Sequence, residues 1–281
     1  MRVRSEYLSA LFITAVLLVL SEPARASQII YESFSQSFPI YANGGTGFSG
    51  PWAQGGFNAF ASGYTASESS LCYRGLQTSG GSVSGGAFSA INGAKRGLAQ
   101  PLGADNTTVY LSFLLQPRGT LDAGVFNGFF GLTLNGSLGQ DLFIGKPGGP
   151  DQYVLETRGG FGQVASGASV AVGETTLLVL KAQFQSGNDI FTLYVDPVPG
   201  RPEPASAVVK TDLDLGVVSA LGIYSTGAFA IDEIRIGTTY ADVTPVADAS
   251  ARTDDDMLHE ESCRGTELNN DGSGSSKPTR P

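Results

Sequence analysis

Residues 228–245 read AFAIDEIRIGTTYADVTP, and the reading of this stretch decides the fold. Its first half is the closing β-strand of a sandwich and its second half is a stop. Side chains alternate along a strand, so Ala230, Asp232, Ile234 and Ile236 are expected to share one face. Three of those four are apolar, which turns the face toward the core and puts Asp232 on the core side. An unpaired carboxylate in that position costs several kcal/mol, roughly. Two things can neutralise it: a bound cation, or a set of backbone N–H groups.

Upstream of this strand the same period of two recurs. Val109, Leu111, Phe113 and Leu115 form an inward face, with Tyr110, Ser112 and Gln116 on the other side. Leu178, Leu180, Ala182 and Phe184 repeat the pattern. After the turn composition of Ser186 to Asp189, Phe191, Leu193 and Val195 carry it on. Phe126 to Leu134 and Val217 to Tyr224 read as further strands, and Asp141 to Gly145 and Gln152 to Thr157 flank a hairpin loop, Lys146 to Pro150. Near the start, Ile29 to Phe34 is a first strand. The glycine-rich stretch Asn43 to Pro51 follows, without the lysine or strand–helix context of a phosphate loop. Trp52, the one tryptophan, either plugs the end of the sandwich or stacks on a sugar. About ten strands and no amphipathic helix predict an all-β, two-sheet antiparallel β-sandwich of the jelly-roll kind. It spans residues 27–245, with first and last strands side by side.

Composition agrees with this architecture. Glycine accounts for 38 of 281 residues and charged side chains for only 15%, a balance suited to short strands joined by turns. Arg2 and Arg4 precede the apolar run Leu8 to Leu20, and Ala24-Arg25-Ala26 follows it. These are the parts of a secretory signal peptide, residues 1–26. The run falls short of the roughly 20 residues a spanning helix needs. The expectation is therefore secretion, to the exterior, periplasm or cell surface, without a transmembrane anchor. Cleavage after Ala26 removes three arginines and two glutamates and moves the net charge from −9 to −10. So acidic a chain, with its Lys and Arg scattered, is a poor partner for nucleic acid or an anionic membrane. Residues 246–281 hold many acids and few large apolar side chains, which predicts a disordered tail. Two cysteines, Cys72 and Cys263, make no disulfide framework and no thiolate metal site, and whether they pair is open.

Four phrases carry a family resemblance: YESF at 31–34, NGGTGFSGPW at 43–52, FIGKPGG at 143–149 and IDEIRIGTTYADVTP at 231–245. Together they resemble concanavalin A-like lectin/glucanase jelly rolls, above all the laminin-G-like domains of secreted bacterial proteins. The resemblance implies carbohydrate binding. It also implies a structural calcium ion, held by Asp232 near the last strand, by partners around Glu32 near the first, and by the Gly75 neighbourhood. Calcium suits such a site because it accepts carbonyl and carboxylate oxygens in irregular geometry. The E-x-D-x-x-E run of glucanases with this fold is missing here. Asp212 and Asp214 come closest to paired acids and read as a turn. The one histidine, His259, lies in the tail, and there is no G-x-S-x-G.

Two function classes follow. The first is a secreted module that binds a polysaccharide or glycan on the polar second sheet face, where alternation places Tyr110, Gln116, Lys181, Gln183, Tyr194, Glu233 and Arg235. The second is a divergent glycoside hydrolase or polysaccharide lyase using Glu156, Arg158 or Tyr194. A structural or adhesive surface component is a further alternative.

Overall fold

The strand Phe229–Gly237 runs through the middle of a sheet and is buried along its whole length. Around it, a computed structural model describes residues 28–35, 43–55, 64–85, 92–119, 121 and 128–247. The signal peptide, His259, Cys263 and all of the acidic tail beyond Ala247 lie outside the described residues. Cys72 is held in a disulfide.

The described residues form fifteen strands: β1 Gln28–Glu32, β2 Ala53–Gln54, β3 Tyr64–Ser67, β4 Ser82–Gly85, β5 Asn92–Leu102, β6 Thr107–Pro117, β7 Phe130–Gly136, β8 Asp141–Lys146, β9 Gln152–Thr157, β10 Phe161–Ser169, β11 Thr176–Phe184, β12 Ile190–Val195, β13 Val208–Lys210, β14 Val218–Ser225 and β15 Phe229–Gly237. One four-residue helix, α1 (Tyr240–Val243), follows. The first sheet runs β13-β12-β11-β6-β15-β4-β3, with β1 also on β15, and the second runs β10-β9-β8-β7-β14-β5-β2. Every pairing is antiparallel, as the composition implied.

The core lies between the sheets. It takes Val109, Leu111, Phe113, Leu178, Leu180, Phe184, Phe191 and Leu193 from the first sheet, and Leu132, Ile144, Leu155 and Ile223 from the second. Val195 packs against it, half-buried. Trp52 is a plug: it is fully buried, stacked 6.1 Å from Phe34, and its indole N–H donates to Glu32. The first and last strands are neighbours, with Ile30 opposite Ile236 and Glu32 opposite Ile234.

The deciding strand departs from simple alternation. Phe229 and Ile231 point into the core, and so do Ile234 and Ile236. Between them, Asp232 stands opposite Leu114 and Arg235 opposite Ser112, so Glu233 and Ile234 together face one residue of β6. That is a β-bulge, and Glu233 takes the left-handed conformation (φ 54°) such a bulge requires. An extra residue reverses the facing of everything before it. Ala230 and Asp232 are therefore on the outer face, not on the core side with Ile234 and Ile236. The bulge falls where β15 changes partner, from β4 at residues 229–231 to β1 at residues 234–237.

Candidate functional site

The two outer sheet faces have different fates. On the first sheet the outer face is covered by the chain itself. Leu71, Tyr73 and Leu76 from the segment after β3, and Tyr240 and Val243 from α1, pack on Leu114, Leu177, Val179 and Ala230. The Thr239 hydroxyl and the Asp242 carboxylate cap α1 reciprocally, and Ser112 Oγ donates to the Val243 carbonyl at 2.7 Å, so the helix is pinned flat on the sheet.

This cover reaches most of the residues that alternation offered as a ligand face. Tyr110, Lys181 and Tyr194 do come together, but on Glu203 of the proline-rich loop. The Tyr110 hydroxyl donates to it at 2.7 Å, Lys181 Nζ at 3.0 Å, and the Tyr194 hydroxyl also donates. These bonds hold the Glu203 carboxyl below the usual range against the opposing effect of burial. Gln116 lies toward the end of β6 and donates to Gly173 and Thr175. Gln183 sits half-buried opposite Thr108 and Ile190. Glu233 and Arg235 are buried ion-pair partners; Glu233 also accepts from the Tyr31 hydroxyl, and Arg235 donates to the Gln77 carbonyl. Seven residues offered as one open surface thus fall into separate groups.

Asp232 is fully buried, as required, and three donors meet it. Ser70 Oγ and the Leu71 N–H reach Oδ2 at 2.5 and 2.9 Å, and the Glu233 N–H reaches Oδ1 at 2.7 Å. Burial, then the neighbouring Glu233 charge, push its carboxyl well above the usual range. Glu32 is engaged elsewhere. Arg96 and the Trp52 indole hold Oε2, and the Phe34 N–H holds Oε1. The Gly75 carbonyl accepts from the Ala247 N–H at 3.1 Å. These are donor-rich surroundings, the opposite of the oxygen-rich cage that calcium needs. The residues present do not fit that ion, and the backbone N–H alternative is the one realised at Asp232.

A cavity of about 530 Å³ lies on the outer face of the second sheet, over side chains that are themselves buried. Its geometry follows from alternation across three strands. Leu142 and Ile144 of β8, Leu155 of β9 and Ile223 of β14 point inward, so Phe143, Val154, Glu156 and Tyr224 point out. Register places Phe143 directly opposite Glu156. Phe129 joins them, 4.8 Å from the Tyr224 ring and edge-on to Phe143 at 6.3 Å, which makes an aromatic floor. The walls are two turns. The loop Pro147 to Pro150 is tied down by buried Lys146, whose ammonium donates to the Pro147 carbonyl and pairs with Asp151 at 3.3 Å. The opposite turn needs two left-handed residues, supplied by Gly159 (φ 108°) and Gly160 (φ 91°).

Three polar side chains face this floor. Glu156 is 7% exposed, and Gln163 Nε2 donates to its Oε2 at 2.7 Å. Burial against the aromatic floor raises its carboxyl above the usual carboxylate range, opposed by the Gln163 and Gly160 hydrogen bonds. Arg158 pairs with Asp141 at 2.7 Å and lies over the Tyr224 ring, 5.7 Å from its centre. Among the described lining residues, Glu156 is the one carboxylate. Two-carboxylate glycoside hydrolysis needs a partner about 5–9.5 Å away, and the described lining does not supply one.

Glu156 and Arg158 therefore share a site, while Tyr194, grouped with them by sequence, stands on the other sheet. Phe129, Phe143, Gln163 and Tyr224 are missed from sequence. The signal was present in FIGKPGG, where Phe143 between two inward residues has to point out.

No family model matches the chain, and no curated protein matches it. Solved structures do. The globular domain of T. cruzi calreticulin superposes with a TM-score of 0.50 at 10% identity, over 86% of this chain and 99% of that one. An endo-1,3-β-glucanase from Streptomyces sioyaensis gives a TM-score of 0.46 at 10% identity, over 77% and 98%. The exoplasmic/lumenal domain of VIP36, in a form bound to Ca2+ and Man2, gives 0.38 at 10%, over 65% and 84%. At such identities the likeness speaks for the fold alone.

Proposed function

Taking the chain as a concanavalin A-like lectin/glucanase jelly roll, we propose that it is a secreted carbohydrate-binding protein whose ligand seat is the cavity on the second sheet. One observation carries this: an aromatic floor with a carboxylate, an amide and a guanidinium around it, lining a cavity of about 530 Å³ on the outer face of the second sheet. Sugar rings have an apolar face and an edge of hydroxyls, and such a seat offers a partner to each. Secretion is part of the reading because of Arg2, Arg4, the apolar run and Ala24-Arg25-Ala26. Calcium is not part of it, since Asp232, Glu32 and Gly75 are already satisfied by other donors.

The test is calorimetric titration of the purified protein against a panel of polysaccharides. The expected result is saturable binding that is lost in Tyr224→Ala and weakened in Arg158→Ala, with no reducing ends or unsaturated products released. Turnover that disappears in Glu156→Gln would replace binding by catalysis.

A further inference from the structure

We propose that the cavity selects uncharged sugar units over acidic ones, and that Glu156 is the residue that sets this choice. The inference rests on the glycan-binding reading and narrows its ligand class.

It follows from where the charges of the site are already spent. Each cation around the cavity has its own acid: Arg158 holds Asp141 at 2.7 Å, Lys146 holds Asp151 at 3.3 Å, and Lys210 holds Asp212 at 2.7 Å. Glu156 has no such partner among the described residues. Its one side-chain bond comes from the neutral amide of Gln163, and Lys210 acts on it only from a distance. The three ion pairs cancel, and one carboxylate is left facing the ligand. A carboxylate accepts hydrogen bonds at about four lone-pair positions, and Gln163 and the Gly160 N–H engage two of them. Sugar hydroxyls can donate to the others. A uronate group cannot donate when ionised, and it would set a like charge beside a carboxylate 7% exposed, where water screens weakly. The guanidinium that would ordinarily welcome a uronate is already engaged by Asp141. The amide of Gln163 adds direction, because with Glu156 it offers a donor and acceptors side by side to adjacent hydroxyls.

The experiment uses the whole purified protein, a neutral glucan and a polyuronate of matched length, titrated at the same ionic strength and pH 7. Wild type is expected to bind the neutral polymer at least about tenfold more tightly than the polyuronate. Glu156→Gln keeps the shape and removes the charge, so it should narrow that gap from the polyuronate side. Asp141→Asn releases Arg158 from its ion pair and should raise polyuronate affinity while leaving Glu156 in place. This second variant keeps the inference testable should Glu156→Gln fold poorly. A wild-type protein that binds polyuronate as well as the neutral polymer would overturn the charge selection and leave the glycan reading standing. Binding to neither polymer, nor to any other glycan of the panel, would remove the glycan reading and this inference with it.

Discussion

The outer faces of the two sheets are built from similar strands and put to opposite uses. On the first, aromatic and charged residues that look available in the sequence are roofed by residues 71–76, the proline-rich loop and α1. Tyr110 and Tyr194 are 8% and 5% exposed, and both hydroxyls end on Glu203. On the second, Phe129, Phe143 and Glu156 are buried as deeply, yet they line a cavity, and the carboxylate faces it beside an aromatic floor. The comparison teaches that polar residues on a sheet face mark a binding site only where the chain has not already answered them. A tyrosine with a glutamate partner is a latch, whereas a glutamate in a cavity, met only by a side-chain amide and a backbone N–H, has bonding capacity left over.

The largest effect expected from this contrast is on stability, at the roofed face. Arg235 is 2% exposed, pairs with Glu233, donates to Gln77 and lies 4.9 Å from the centre of the Tyr31 ring. Arg235→Met leaves the fully buried Glu233 without its cation. Breaking such a pair from one side costs about 3–5 kcal/mol. Urea denaturation should register that loss, while glycan affinity of the folded fraction stays at the wild-type value. A loss of affinity in the folded variant would break the assignment of this face to structure.

Next comes the face with the cavity, where the effect should move to binding. Tyr224→Ala removes a half-buried ring that contacts Phe129 and underlies Arg158. Glycan affinity should fall about tenfold or more, since a stacked aromatic contributes about 0.5–1.5 kcal/mol on top of the area it buries. Tyr194→Phe, the matched change on the first sheet, should leave affinity unchanged and cost about 1.5–3 kcal/mol of stability, the worth of one hydrogen bond to a charged group. Titration and denaturation of both variants give the four numbers that the comparison needs. Equal loss of affinity in the two would erase the distinction between the faces.

How much of this was legible beforehand depends on what kind of information each feature uses. The inward residues of β6, β11 and β12 follow from alternation over five to seven positions, and a wrong register there would have exposed a whole face. The adjacency of first and last strands follows from the fold resemblance. The bulge at Glu233 was only half legible: Asp232 and Glu233 set two polar residues side by side between Ile231 and Ile234, a break in alternation, but the left-handed position is filled by glutamate rather than the expected glycine. What sets the bulge is the change of partner from β4 to β1, which is a fact of tertiary assembly. The roof over the first sheet was hidden for a similar reason. Leu71, Tyr73 and Leu76 show no strand or helix period, so nothing local announced that they cover anything. The cavity was half legible: Glu156 and Arg158 were candidates, but their partner Phe143 is brought opposite by the register of a hairpin.

A smaller effect is expected from pH. The folded protein holds the Glu156 proton more tightly than the unfolded chain does, because burial raises its carboxyl above the ordinary glutamate value of 4.5. The folded state therefore binds more protons than the unfolded state between 4.5 and the raised value. Across that window stability falls as pH rises, and the contribution of Glu156 is fully favourable only below it. Asp232 and Glu233 are also raised by burial and act in the same direction. The clean measurement is the difference between wild type and Glu156→Gln. Denaturation midpoints followed from pH 4 upward should converge or cross in that window, with the variant gaining relative to wild type as pH rises. A variant that loses ground toward neutral pH would mean that Glu156 is stabilised as a carboxylate, and that a cation pairs with it in solution.

The smallest expected effect is none at all, and it concerns calcium. Asp232 was singled out because a buried carboxylate requires compensation, and two kinds were open to it. Three donors within 2.5–2.9 Å now occupy its oxygens, two of them backbone N–H groups. A cation approaching Oδ2 would have to displace the Leu71 N–H, and that group would then be buried without an acceptor, at about 1–3 kcal/mol. At Glu32 the cation would meet the Arg96 guanidinium, which is itself buried and has nowhere to go. At Gly75 it would compete with the Ala247 N–H, part of the pairing that ties residues 245–247 to residues 75–77. Each candidate ligand is thus spent on holding a different piece of chain in place. Thermal melts of the wild-type protein with chelator and with added calcium should give the same midpoint, and elemental analysis should find no bound ion. Asp232→Asn should melt lower under both conditions, because its amide keeps a single accepting oxygen and leaves either the Leu71 or the Glu233 N–H facing an NH₂. A midpoint that rises with calcium in wild type and not in Asp232→Asn would put the ion back at this strand and would mean that its donors rearrange to admit it.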